Sequence, residues 1–326
     1  MSGTDFPLAR RQLDAADAAD FELAIWWRDD DARGASHDLA RLLAQRQDAG
    51  VPLALAVIPD GARPDLRDAL AADDDVCLFL HGWRHANHAP AGDKRAEFGD
   101  HRPLATMLDE ARRGHAILAA LAGDRFLPVF VPPWNRIGPG IATRLADAGL
   151  PGLSTFAVPA RRHLVATHLD LMDWRAGRAQ DWAALDRLLA AQIAARLPGG
   201  EGGAPGAGGA AESERDEAAE SARSEAATNG PMNPPRESPL PNGTASPTVS
   251  AATGPALRPA GTSSVRSEPI GLLTHHLQHD VPAWDRLAAL LDLLAPRAGI
   301  AWPRIPELFD LAPVGDAGSD PSDATP

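Results

Sequence analysis

The sequence predicts an α/β protein, a (β/α) barrel assembled from seven strand–helix units. Three observations lead there. Up to about residue 196, short apolar runs alternate with helical periodicity, the pattern of βαβ units on a parallel sheet. No Gly-x-Gly-x-x-Gly follows the first strand, which removes the main sign of a doubly wound dinucleotide fold. The charged residues follow the apolar runs directly, and in a βα barrel functional groups gather at the carboxyl ends of the strands.

The first strand is expected over Leu23–Arg28, ending on Asp29-Asp30-Asp31. Further strands are expected at Leu53–Ile58, Val76–Leu80, Phe126–Val131, Gly152–Phe156, His168–Met172 and Ile270–Thr274. Between them lie helices at His37–Ala49, Pro64–Ala71, Leu104–Ala122, Ile141–Ala148 and Trp182–Arg196, with a last long one from about Pro282 to Leu294. Ser36, Asp181 and Asp280 stand where N-caps belong, and Gly50 and Gly149 where a left-handed residue ends a helix. Pro132 and Pro133 stop the fourth strand and stiffen its loop. Pro303–Leu311 reads as a short terminal helix.

Composition breaks this order once. Residues 197–268 contain no aromatic residue and no Ile and are rich in Gly, Ala, Pro, Ser and Glu. Such a segment buries too little apolar surface to offset its ordering entropy, so a disordered insert is expected before the last strand. One barrel domain is thereby read over 21–196 and 269–311, with an amino-terminal extension at 1–20 and a flexible tail at 312–326.

The 326 residues are 44% hydrophobic, enough for one large core. A net charge of −13 argues against nucleic acid and against an anionic membrane surface as partners. The acids of residues 1–20 leave no apolar signal-peptide core, and no run approaches the roughly 20 apolar residues of a membrane span, so a cytoplasmic location is expected. The single cysteine, Cys77, sits in an apolar run and reads as a buried, inert thiol.

The chemistry lies at the strand ends. His81 and His85 directly follow the third strand, and two imidazoles with one carboxylate are a ligand set for Zn²⁺ or another divalent ion that leaves a position open to water. A run of acids is usually a solvated loop. Asp29-Asp30-Asp31 instead ends a Trp-rich strand, and neighbouring carboxylates suit a split between metal ligand and general base. Trp134, on the rigid Pro-Pro loop, offers a flat wall to a sugar ring, with core packing as its plain alternative; Arg136 could anchor substrate or orient a carboxylate. Asp170, Asp173 and Trp174 follow the sixth strand. His275 and His276 follow the seventh, and since alternate residues leave a strand on opposite sides, only one of them can face the site.

In this order, Asp-Asp after strand one, His-x-x-x-His after strand three, Pro-Pro-Trp after strand four, Asp-x-x-Asp-Trp after strand six and Leu-x-His across the end of strand seven resemble the polysaccharide deacetylase family, built on the chitooligosaccharide deacetylase homology domain. The likeness covers about 22–196 and 269–310. It implies a distorted seven-stranded (β/α) barrel and a divalent metal, zinc or another. By that resemblance Asp29 is the catalytic base, Asp30 the metal-binding aspartate, His81 and His85 the metal-binding histidines, Pro133 and Trp134 the groove wall, and His275 the general acid. A register one residue on, with Asp30 as base and Asp31 as ligand, stays open. The family's first motif is usually Thr-Phe-Asp-Asp-Gly, and its third usually opens on an Arg that holds the base, where this chain has Val131; Arg136 is one candidate to replace it. The activity implied is metal-dependent removal of an N-acyl group, most simply N-acetyl, from an amino sugar. The competing readings are a carbohydrate-binding barrel without turnover and an amidase acting on a non-sugar amide.

Overall fold

A computed structural model describes residues 6–198 and 268–314. Seven parallel strands form its centre: β1 (Leu23–Ala32), β2 (Leu53–Val57), β3 (Val76–His81), β4 (Phe126–Val131), β5 (Gly152–Leu153), β6 (Leu169–Asp170) and, after the hairpin β7 (Met172–Asp173) and β8 (Arg178–Ala179), β9 (Ile270–Thr274). They lie side by side as β5-β4-β3-β2-β1-β9-β6. Two parallel bridges, Leu153↔Leu164 and Phe156↔Thr167, join the stretch leading into β6 to β5 and the residues just after it, so the sheet curls round on itself. A two-residue strand, β10 (Ile300–Ala301), adds to the start of β1.

Helices α1 (Pro7–Ala18), α2 (His37–Ala49), α3 (Asp65–Ala69), α4 (Leu104–Ala122), α5 (Pro139–Ala142), α6 (Trp182–Ala194), α7 (Val281–Leu294) and α8 (Ile305–Phe309) complete the described secondary structure with short 3-10 turns. Ser36 caps α2 through the Leu39 amide, Asp280 caps α7 through the Ala283 amide, and Gly50 and Gly149 are left-handed, as expected. Asp181 does not cap α6: its carboxylate is taken by Arg178 at 2.7 Å. The helix expected at 141–148 splits into α5 and a 3-10 turn. The described part of the expected extension is built into the fold. From Pro7 it forms α1, which buries Ala9, Leu13 and Ala16 against the core and receives an N-terminal cap from Asp186 of α6.

Alternation along the strands separates two apolar layers. Trp26, Ala54, Ala56, Phe79, Leu127, Val129 and Val131 point inward, where Ile305 and Phe309 of α8 close one end of the ring. Ile25, Trp27, Leu53, Leu55, Leu78, Leu80 and Phe130 point outward under the helices. Burial of this double layer supplies the apolar transfer that drives folding, at about 25 cal/mol per Å². The inner row of β1 continues from Trp26 to Arg28 and Asp30, and that of β3 from Phe79 to His81. A barrel apolar at its base is therefore polar where its strands end. Cys77, on the inner row of β3, is largely buried, and burial pushes its thiol up to about 11, so it stays protonated and unreactive at neutral pH.

Most of the insert expected at 197–268 lies outside the described residues, as does the tail from 315. Its edges are within them. Leu197 packs on the core, and Glu268 stands 3.3 Å from His168. Arg196 donates to the carbonyls of Glu268 and Pro269. The chain thus leaves and re-enters at one place, beside the amino-terminal end of β9, whereas His275 follows its carboxyl-terminal end. Replacing residues 199–267 with a short Gly-Ser connection is expected to leave the thermal midpoint and any turnover close to those of the full chain. Loss of the cooperative melting transition would contradict this.

Candidate functional site

The strand ends bring Asp31, His81 and His85 together. Each offers one ligand atom, and the three atoms lie within 4.8 Å of one another. β3 delivers His81 on its last residue. Its Nδ1 lies 3.0 Å from the Val131 carbonyl, to which only a protonated nitrogen can donate. That leaves Nε2 directed at Asp31 Oδ1, 3.1 Å away. An imidazole lone pair and a carboxylate oxygen face each other stably only with a cation between them, a proton or a metal ion. His85 Nε2 is 3.5 Å from the same oxygen. Two imidazoles and a carboxylate thus fit a divalent ion. Burial alone would raise the Asp31 carboxyl, but the neighbouring His85 and the hydrogen bond with His81 outweigh it and hold the group well below the usual carboxylate range.

This geometry matches the grouping of the second register, not of the first. Asp31, not Asp30, joins the histidines, because a left-handed residue at Asp31 (φ 75°) and a shift in the β1–β2 ladder break the strand's alternation there. The expected strand end at Arg28 is also corrected: β1 runs on to Ala32, so the acids are part of the strand. Asp30 lies on the inner row beside them. Its two oxygens accept from Nε and Nη2 of Arg28 at 2.8 and 3.0 Å, a bidentate pair with both side chains buried. Arg28 also donates to Ser154 Oγ at 2.6 Å and Asn135 Oδ1 at 2.7 Å. The arginine that holds Asp30 thus comes from β1 itself. Arg136, by contrast, donates to the Arg95 carbonyl across its loop.

Asp29, expected as the base, is on the other side of the sheet. It is 0% exposed and accepts from Thr274 Oγ1 at 2.6 Å, from the His276 amide at 3.0 Å and, within 2.5 Å, meets His276 Nδ1. Burial raises the Asp29 carboxyl, yet the charge and hydrogen bond of His276 bring it below its ordinary value; burial lowers His276, and Asp29 lifts it above. The pair holds β1 to β9 behind the site. Of the two consecutive histidines, His275 faces inward. Its Nε2 is 3.9 Å from Asp30 Oδ2, and the edge of Trp174 packs on its ring at 4.6 Å. Trp174 is held by its indole N–H to Asp170 Oδ2 at 2.8 Å. Burial raises the Asp170 carboxyl, against the opposing field of His275.

Trp134 stands against the Asp31–His81–His85 group: its ring centroid is 4.4 Å from that of His85. Trp134 and Asn135 are both left-handed, at φ 54° and 55°, a conformation that the Pro132-Pro133 stop and the Arg28–Asn135 bond maintain. Pro133 is buried beneath, against Gly82. The residues missed in the sequence, Arg28, Asn135 and Ser154, do carry one signal. A charged residue in a run of buried apolar ones must find partners, and Arg28 sits between Trp27 and the acids.

No family model matches the sequence, and no curated protein matches it. Solved structures do. A family 4 carbohydrate esterase from Streptomyces lividans, in complex with acetate, is 14% identical, with 90% of this chain and 98% of that one covered and a TM-score of 0.45. A peptidoglycan N-acetylglucosamine deacetylase is 13% identical over 92% of this chain and 98% of its own, with a TM-score of 0.44. A variant of the peptidoglycan deacetylase PdaC from Bacillus subtilis is 8% identical over 89% and 91%, also with a TM-score of 0.44. No described helix is long and apolar enough to cross a membrane.

Proposed function

We propose that this protein is a metal-dependent deacetylase that removes an N-acyl group, most simply N-acetyl, from an amino sugar or a related carbohydrate. The observation that carries the reading is the placing of Asp30 and His275, 3.9 Å apart, beside the group formed by Asp31, His81 and His85. A divalent cation held by those three residues, zinc among the candidates, would supply Lewis acidity to the scissile carbonyl. Asp30, fixed by both nitrogens of the Arg28 fork, takes a proton from the attacking water. His275 gives a proton to the departing nitrogen, its ring held against Trp174. Trp134 and Trp174 flank the site with flat apolar faces suited to a sugar ring. The motif order that resembles the polysaccharide deacetylase family supports the same chemistry.

Metal-loaded protein is expected to release acetate from N-acetylated chitooligosaccharides and from an activated aryl acetate, and to lose both activities on chelation. No turnover of either substrate by protein with a bound divalent ion would favour the binding-barrel reading. The role of His275 has its own test. His275→Ala is expected to lower kcat at least about a hundredfold on the amide, whose leaving nitrogen needs a proton, and much less on the ester, whose leaving group does not. Equal losses on both substrates would move the acid role to another residue.

A further inference from the structure

One buried carboxylate has no part in that chemistry. Glu97 lies between β3 and α4, is 0% exposed, and is directed into the loop that carries His85. Its Oε2 accepts from the Trp83 amide at 3.0 Å, and its Oε1 from the amides of Arg84 and Ala86 at 2.9 and 3.3 Å. Three backbone donors within four residues converge on one side chain. We propose that Glu97 is the positioning residue of the metal-ligand loop, fixing where His85 stands relative to His81 before the ion binds. The inference rests on the metal site of the proposed function.

The two histidines are held by different means. His81 belongs to a strand, with its ring tied to Val131. His85 lies beyond the ladder. The chain between them turns through Gly82 at φ 56°, and His85 itself is left-handed at φ 62°, a region that residues with a Cβ rarely occupy. A Cβ at residue 82 would overlap both Glu97 and Pro133, so loop and carboxylate are packed as one piece. Without an acceptor, the inward-turned amides of 83, 84 and 86 would be left unsatisfied, and the loop would relax toward water.

Glu97 is itself well anchored. Its carbonyl accepts from Arg102 at 2.9 Å, and Arg102 is paired through both terminal nitrogens with Glu110 of α4. The next residue, Phe98, is fully buried with its ring 4.9 Å from that of Phe130 on β4. The clamp therefore transmits the rigidity of α4 and the sheet to His85. Both carboxylate oxygens are engaged by amides, and Glu97 is not among the three ligand groups, so its action is on the loop.

The test uses the full chain, stripped of metal and titrated with Co²⁺. Glu97→Gln keeps the shape but turns an NH₂ group toward one of the amide donors. It is expected to weaken Co²⁺ binding about tenfold or more, the range for residues that orient ligands, and to change the visible Co²⁺ spectrum. In the metal-free protein, amides of 82–88 should exchange with deuterium about tenfold faster, while those of β2 and β3 stay at wild-type rates. Glu97→Asp, which keeps the charge one methylene short, should move the same readouts in the same direction if Glu97→Gln does not fold. A variant with wild-type Co²⁺ affinity and spectrum, unchanged loop exchange, or faster exchange spread evenly over the sheet would each overturn the proposal. Failure of the wild type to bind Co²⁺ would instead sink the metal-site reading, and the clamp would stand or fall on the exchange rates alone.

Discussion

Arg28→Met is expected to destabilise the protein by about 3–5 kcal/mol, the usual cost of removing one partner of a buried ion pair. The guanidinium is 0% exposed, and its loss strips Asp30 of two charge-assisted bonds and frees Asn135 and Ser154 together. Urea unfolding reads the stability. Turnover should fall on amide and ester alike, because Asp30, the base of the proposed function, would be misplaced whatever the leaving group. Arg28→Met combined with Asp30→Leu should recover much of the stability and none of the activity, since the uncompensated charge disappears with the base. A single variant within about 1 kcal/mol of wild type would show that the pair is not the hub of this site; surface pairs, whose loss costs about that much, set the comparison.

Asp31→Ala is expected to abolish binding of a divalent ion at neutral pH and to cut turnover by more than the roughly 10–100-fold that outer-shell partners carry. Asp30→Asn, one residue away, should keep the metal and lose the turnover. Metal content by mass spectrometry and rates on the aryl acetate separate the two. The opposite pattern, metal lost at Asp30 and kept at Asp31, would restore the first register and leave Asp31 as a second carboxylate of the mouth.

Much of the fold was legible because its signals are local. The seven apolar runs, the caps at Ser36 and Asp280 and the left-handed glycines need only neighbours in sequence, and they are found where expected, although the strands expected at Gly152–Phe156 and His168–Met172 shorten to Gly152–Leu153 and Leu169–Asp170. The site was legible as a set of strand ends but not in register. Parity contained more than was read from it: Trp26, Arg28 and Asp30 alternate onto one side, so Asp29 had to leave on the other with Trp27. What parity could not give is Asp31, whose inward turn depends on a positive φ and a ladder shift that no residue in 29–32 announces. The Asp181 cap failed for a related reason, since a cap competes with whatever cation is nearer, here Arg178. The anchoring of Arg28 is a matter of three dimensions: its partners, Ser154 and Asn135, are 126 and 107 residues away in sequence.

The position of β9 between β1 and β6 bears on the order in which the molecule can assemble. Thr274 of β9 lies 247 residues beyond Trp27 of β1, yet the strand belongs between β1 and β6. Until it arrives, β1 presents an open backbone edge, the Trp27 indole lacks Thr274, and Asp29 lacks His276, whose partners are 247 residues apart in the chain. Contacts of such separation carry a large loop-closure entropy and slow the rate-limiting step of folding. A nascent chain ending before residue 268 is therefore a barrel with a slot in its wall, and an exposed parallel edge of this kind is where a chaperone or an aggregating neighbour would pair.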